Sequence, residues 1–158
     1  MLVPVAGMPG DRIVSGSGPR IPARSLHSTQ VARVQPKEIV DAYLDAIASH
    51  DYEGARRCLA DTGFSYESPV ARFDSADAFM EYSALNMGIL QAAERVKTFV
   101  DGPDVCNFLI IHIQISDKER IKLVNWAHVE AGRIRRMEIL FDARIFQSLF
   151  VPGDSDPG

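Results

Sequence analysis

The segment from Val105 to Phe141 reads VCNFLIIHIQISDKERIKLVNWAHVEAGRIRRMEILF. Its apolar residues recur every second position, which predicts three antiparallel strands joined by two tight turns. In the first strand Leu109, Ile111, Ile113 and Ile115 share one face, and Phe108, Ile110 and His112 share the other. A charged turn, Ser116 to Arg120, leads into a second strand. There Ile121, Leu123, Asn125, Ala127 and Val129 lie opposite Val124, Trp126 and His128. Gly132 turns the chain into the third strand, with Met137, Ile139 and Phe141 on one side. Both faces are therefore apolar near the middle, whereas an antiparallel sheet with one wet face alternates cleanly. Helices can cover only one face. A second copy packed sheet to sheet is the simplest cover for the other, through Phe108, Ile110, His112, Trp126 and His128.

The remainder of the chain supplies the helices. Pro36 suits a first helical position, where its missing N–H costs nothing. After it, KEIVDAYLDAIASH puts Ile39, Val40, Tyr43, Leu44 and Ile47 on one stripe, with Lys37, Asp41, Asp45 and Ser49 toward water. Asp51 is an N-cap for a second short helix, YEGARRCLA, with Cys58 and Leu59 inward. Phe64 to Ser68 reads as a short strand stopped by Pro69. Asp74 or Ser75 then caps a third helix, ADAFMEYSALNMGIL, loosened at Gly88. Phe79, Met80, Tyr82, Ala84, Leu85 and Met87 make that helix apolar over a broad arc, which predicts burial on more than one side. Glu94 to Asp101 alternates as a strand and turns at Gly102-Pro103.

Residues 1–35 differ in kind. They are rich in Gly, Pro and Ser without a period, and carry Arg12, Arg20, Arg24 and Arg33 against one acid, Asp11. Such a stretch buries too little to offset its ordering entropy, so a disordered extension is expected over 1–35, one domain over 36–151 and a disordered tail over 152–158. The alternative for the extension is an organelle transit peptide.

The totals exclude several function classes. A net charge of −4 argues against a nucleic-acid binder, which needs a basic surface to displace counterions. No apolar run reaches the length of a membrane span. Cys58 and Cys106 are far apart in sequence with no zinc-ligand spacing, as expected of reduced thiols in a cytoplasmic protein. The sequence contains no Gly-rich phosphate loop, paired metal-ligating histidines or nucleophile elbow. Neither a metal nor a cofactor is expected.

The order helix, helix, short strand, helix, then four long strands resembles the nuclear-transport-factor-2-like, cystatin-like α+β cone. DAYLDAIASHDYEGARRCLAD is similar to the opening of ketosteroid isomerases and SnoaL-like polyketide cyclases. SPVARFDSADAF resembles their first strand and following helix, and GRIRRMEILFD their closing strand. The resemblance implies three N-terminal helices on the concave face of a curved, mainly antiparallel sheet, with an apolar pocket between them. By analogy with the isomerases, Tyr43 and Asn125 fall where two donors hold a substrate oxyanion. The general base of those enzymes falls on Glu67, or on Ser68 if the following Pro-Val is matched instead. In the cyclases the catalytic aspartate lies where this chain has Ile139, so that mechanism does not carry over unchanged. The epoxide hydrolases' Asp-Arg-Asp set cannot be assembled from these strands. The expected ligand-contacting set is Tyr43, Met80, Ile111, Ile113, Asn125, Ile139 and Phe141. Arg72 falls at the expected mouth, and Asp142 is either an N-cap for a closing helix, ARIFQSLF, or a functional acid.

Two functions remain open. One is a binding or scaffold protein for a small apolar molecule. The other is a cofactor-free isomerase, hydratase or cyclase-like enzyme with Glu67 as base. The position of Glu67 separates them.

Overall fold

The computed structural model describes residues 33–114 and 118–145. The expected N-terminal extension up to Ala32, Ile115, the first residues of the charged turn, the closing helix beyond Ile145 and the C-terminal tail lie outside the described residues. Helices α1 (Pro36–Ala48), α2 (Tyr52–Cys58) and α3 (Ala76–Asn86) pack on one side of an open six-stranded sheet. Its strands are β1 (Ser65–Glu67), β2 (Arg72–Phe73), β3 (Leu90–Asp101), β4 (Asp104–Gln114), β5 (Lys118–Glu130) and β6 (Arg133–Phe141), in spatial order β2-β1-β6-β5-β4-β3. All neighbours are antiparallel except β1 and β6, which run parallel.

Local chemistry sets the helix starts. At α1, Pro36 occupies the first turn, and the Gln35 N–H donates to Glu38 Oε2 at 2.9 Å in a reciprocal capping box. Asp51 Oδ1 accepts the Gly54 N–H at 2.8 Å and opens α2. Ser75, rather than Asp74, caps α3 by accepting from the Ala78 N–H. Such caps stabilise a helix by about 1 kcal/mol each. Helix α1 buries Ile39, Val40, Tyr43, Ala46 and Ile47 against the sheet. Each large apolar side chain removed from water there contributes roughly 1.5–3 kcal/mol. Asp41 does not simply face water: it pairs with Lys37 and reaches Arg95 on β3 at 3.5 Å, while Asp45 takes the same guanidinium. That clamp ties α1 to the sheet edge.

Helix α3 departs from its expected broad burial. Only Ala76, Phe79, Met80 and Ser83 are buried, a single stripe, and Leu85 is 81% exposed. The aromatic side chains account for this. Tyr66 stacks on Phe79 at 4.2 Å between centroids, and Phe73 meets Tyr82 at 5.0 Å, so the helix rests on β1 and β2 along one side only. A short 3-10 turn, Met87–Ile89, ends it at Gly88, and β3 begins at Leu90, four residues earlier than its alternation suggested. The two-residue strand β2 had no signal of its own in the sequence. It forms because Ser68 closes the intervening turn, its Oγ accepting from the Ala71 N–H.

The curvature comes from irregularities in the ladders. Register shifts fall between Leu90 and Ala92, between Arg95 and Lys97, and between His128 and Val129. An extra residue on one strand bends it and increases its twist, which makes one face concave. At the β5–β6 turn both Ala131 (φ 50°) and Gly132 (φ 75°) are left-handed, as a two-residue hairpin with primed-turn geometry requires. The alternation read from the sequence holds through β4, β5 and β6. Val105, Leu109, Ile113, Ile121, Ala127, Val129 and Met137 are buried on the helix side.

Candidate functional site

Between α1, α3 and the concave face lies a cavity of about 290 Å³, near the lower end of the range typical of small-molecule sites. The sheet contributes Leu109, Ile111 and Ile113 from β4, Ile121, Leu123 and Asn125 from β5, and Met137, Ile139 and Phe141 from β6. Their parity follows from the register Leu109↔Leu123↔Phe141, with Asn125 opposite Ile139 one step along. The helices add Tyr43, Leu44 and Ile47 from α1 and Phe79, Tyr82 and Asn86 from α3. Tyr66 of β1 closes the wall beside Met137, its partner across the parallel ladder.

Six of the seven residues expected to contact a ligand lie in this lining: Tyr43, Ile111, Ile113, Asn125, Ile139 and Phe141. Met80 does not. It is buried in the core, one position beyond Phe79, which takes the lining place on α3. Glu67 is also elsewhere. Strand β1 pairs Tyr66 with Met137, which faces the helices, and Glu67 with Glu138, which faces away. Glu67 consequently projects from the opposite side of the sheet, its side chain 58% exposed and bonded to Arg72 at 2.7 Å. Glu67, Arg72, Asp74, Arg136 and Glu138 line a separate shallow surface niche. Ser68 is outside the cavity lining as well; its hydroxyl closes the β1–β2 turn and hydrogen-bonds the Tyr66 phenol. Arg72 is likewise committed to Glu67 rather than to the cavity mouth. Tyr66, Tyr82 and Asn86 were not among the expected site residues. For Tyr66 a signal existed: it shares parity with the apolar Phe64, which places it inward and Glu67 outward.

The chemistry of the lining is narrow. Among the described residues it contains no Asp, Glu, His, Lys, Arg or Cys. Its polar groups are three phenols and two amides. Burial pushes the Tyr43 hydroxyl well above the usual phenol range, reinforced by the neighbouring Tyr66 and Cys58. Burial also raises Tyr66. Both remain protonated at neutral pH and can donate or accept. Asn125 is 1% exposed and its Oδ1 has no hydrogen-bond partner. Asn107, directly opposite it on β4 and fully buried, accepts from the Thr98 hydroxyl through Oδ1 at 2.6 Å and leaves Nδ2 unpaired.

On the convex face His112 bonds Glu94 at 2.6 Å and His128 bonds Asp104 at 3.0 Å. The Trp126 indole N–H donates to the same Asp104 oxygen at 2.9 Å, and the Arg136 guanidinium lies over its ring at 4.4 Å. Burial works to raise the Asp104 carboxyl, but hydrogen bonds from His128 and Trp126 outweigh it and hold the group below the ordinary carboxylate range. Among the described residues no three His, Cys, Asp or Glu side chains are grouped to hold a metal ion, and no helix is long and apolar enough to cross a membrane. Cys58 and Cys106 are both half-buried free thiols. Asp142 accepts from the Arg144 N–H and guanidinium, which lowers its carboxyl to about 2.

Solved structures share this arrangement across most of their length. An NTF2-like protein from Cytophaga hutchinsonii superposes with a TM-score of 0.64 at 19% identity, covering 74% of this chain and 98% of its own. The fold is nuclear-transport-factor-2-like. An LEH-like epoxide hydrolase from M. tuberculosis (TM-score 0.63, 19% identity, 72% of this chain and 88% of that one) has it too. So does a putative ketosteroid isomerase from Kribbella flavida (0.60, 18% identity, 68% and 78%). No family model matches the chain, and no curated protein does. At these identities the NTF2-like neighbours define the architecture, and the chemistry rests on this chain's own side chains.

The unpaired amide has a thermodynamic consequence. A buried acceptor without a partner costs about 1–3 kcal/mol. Asn125→Leu should therefore leave the ligand-free protein as stable as the parent or more so, by about 1 kcal/mol, in urea unfolding. Destabilisation by about 2 kcal/mol or more would mean that the amide holds the fold rather than serving the cavity.

Proposed function

We propose that this protein binds a small, largely apolar molecule in the cavity between its helices and sheet and performs no proton-transfer chemistry on it. The observation that carries this reading is the outward position of Glu67. Enolisation next to a carbonyl needs a base within about 2.6–3.2 Å of the proton it removes. Among the described residues the lining offers no carboxylate, imidazole, amine or thiol, and burial holds the Tyr43 and Tyr66 phenols protonated. Tyr43 and Asn125 can still orient a polar group, as oxyanion donors do, but orientation alone does not move a proton. The enzymatic names of some neighbours with this fold belong to those proteins.

The test uses the neutral apolar dye N-phenylnaphthylamine, whose fluorescence rises on leaving water. The parent protein should bind it saturably. Leu123→Trp, which fills the cavity from β5, should weaken binding at least ten-fold, and Glu67→Gln should leave it unchanged. Dye binding unaffected by Leu123→Trp in a folded protein would place the apolar site elsewhere.

We also propose that two copies associate through the convex face. Phe99, Phe108 and Leu140 are 55%, 44% and 53% exposed there, close to Val124, Ile110 and Trp126. Charges of both signs surround them, including Lys97, Lys122 and Arg136 with Glu94, Asp104 and Glu138, so the patch can complement itself about a two-fold axis. An apolar group of this kind in the middle of a sheet favours a partner surface over water. In sedimentation velocity the parent should run as a dimer, and Trp126→Glu and Leu140→Glu should each halve its mass. A parent of monomer mass, or two variants of unchanged dimer mass, would remove this interface.

A further inference from the structure

We infer that residues 146–151 of this same chain dock across the open mouth of the cavity and cover it. The mouth is apolar where it meets water. Val70 and Tyr82 line the cavity yet are 51% and 36% exposed, so it opens between the β1–β2 turn and α3. Half-buried Met87 continues that rim. Leu85, three residues from Tyr82 and so its neighbour on the helix surface, is 81% exposed. Leu123 and Phe141, paired across β5 and β6 and both half-buried, form the facing rim. None of these side chains carries a charge. Strands β1 and β6 run parallel, with Glu67 beside Glu138. The turn that holds Val70 and the end of β6 at Phe141 therefore lie at the same end of the sheet, and the chain leaves β6 at the mouth. There it turns back. Asp142 Oδ1 accepts from the Arg144 N–H, the Ile145 N–H donates to the Asp142 carbonyl, and Ile145 is half-buried against the core. The next residues read FQSLFV. Ile145, Phe146, Leu149 and Phe150 have the spacing of one helical stripe, Gln147 and Ser148 fall opposite it, and no charge follows Arg144 until Asp154. A stripe of this kind that starts at the rim meets the apolar mouth as the nearest surface on which to leave water. As a helix this segment would reach roughly 9 Å, comparable to the roughly 10 Å between packed layers. Residues 1–32 fit less well, because Pro4, Gly7 and Pro9 interrupt their apolar run and Arg12, Arg20 and Arg24 follow it.

Proton–proton NOEs on full-length protein with labelled methyl and aromatic groups test the docking without any ligand. The Leu149 methyls and the Phe150 ring should contact Val70 and Tyr82. Contacts confined to the segment itself, or made only to Phe99, Phe108 or Leu140 on the convex face, would overturn the docking. Contacts to Val70 and Tyr82 that arise solely between chains in a mixed-label sample would also overturn it, assigning the mouth to a second copy. The covering role is read by stopped-flow release of N-phenylnaphthylamine. The full-length double variant Leu149→Asp/Phe150→Asp should release the dye about ten-fold faster than the parent, and equal release rates would overturn the cover. Because the NOEs need no ligand, a protein that binds no dye loses the binding reading while the docking stands or falls on its own contacts.

Discussion

Every feature of this protein depends on the period-two geometry of strand β5. Successive side chains point to opposite faces, so Asn125 meets the helices and Trp126 meets the other side. A slip of one residue would exchange them and bring Val124 and His128 inward as well. Side-chain links on the convex face oppose that slip. On the convex side Asp104 accepts from Trp126 and His128, joining β4 to β5, and Arg136 of β6 covers the indole. The ladder bonds set the spacing, and these contacts help select the register.

From that constraint the cavity follows with few further assumptions. Bulges curve the sheet, and α1 is clamped over its edge by Arg95, Asp41 and Asp45. The ring stack of Tyr66 on Phe79 holds α3 at the opposite wall. The two helices are thus fixed apart, and the concave face between them stays open. What lines the opening is dictated by strand parity. Apolar residues alternate inward, and Asn125 interrupts them. An amide at a place where Leu or Ile would pack has a cost in stability, which is why it marks the site more clearly than any apolar neighbour.

Much of the fold could be read directly from residues. Alternation in β4, β5 and β6 placed Leu109, Ile111, Leu123, Asn125, Ile139 and Trp126 on their faces, and Pro36 and Asp51 marked helix starts. The difficulties arose where a tertiary contact decides. Strand β2 is two residues long and exists only because it pairs with β1. The outer side of α3, including Leu85, is apolar in sequence but exposed, because no element among the described residues reaches it. The choice between Glu67 and Ser68 depended on an alignment, whereas the pairing of β1 with β6 selects Tyr66 as the inward residue. Hydrophobic periodicity reports which face is buried. It does not report which buried residues leave space between them, so Met80 and Phe79 could not be told apart in advance.

The central claim is the opposed placement of Asn125 and Trp126, and proton–proton NOEs on labelled protein test it most directly. The account predicts contacts from the Asn125 side-chain amide to Ile139, and from the Trp126 indole N–H to His128 or Arg136. Indole contacts to Tyr43 or Ile47 on α1 would contradict it, and with it the cavity lining and the proposed pairing of subunits.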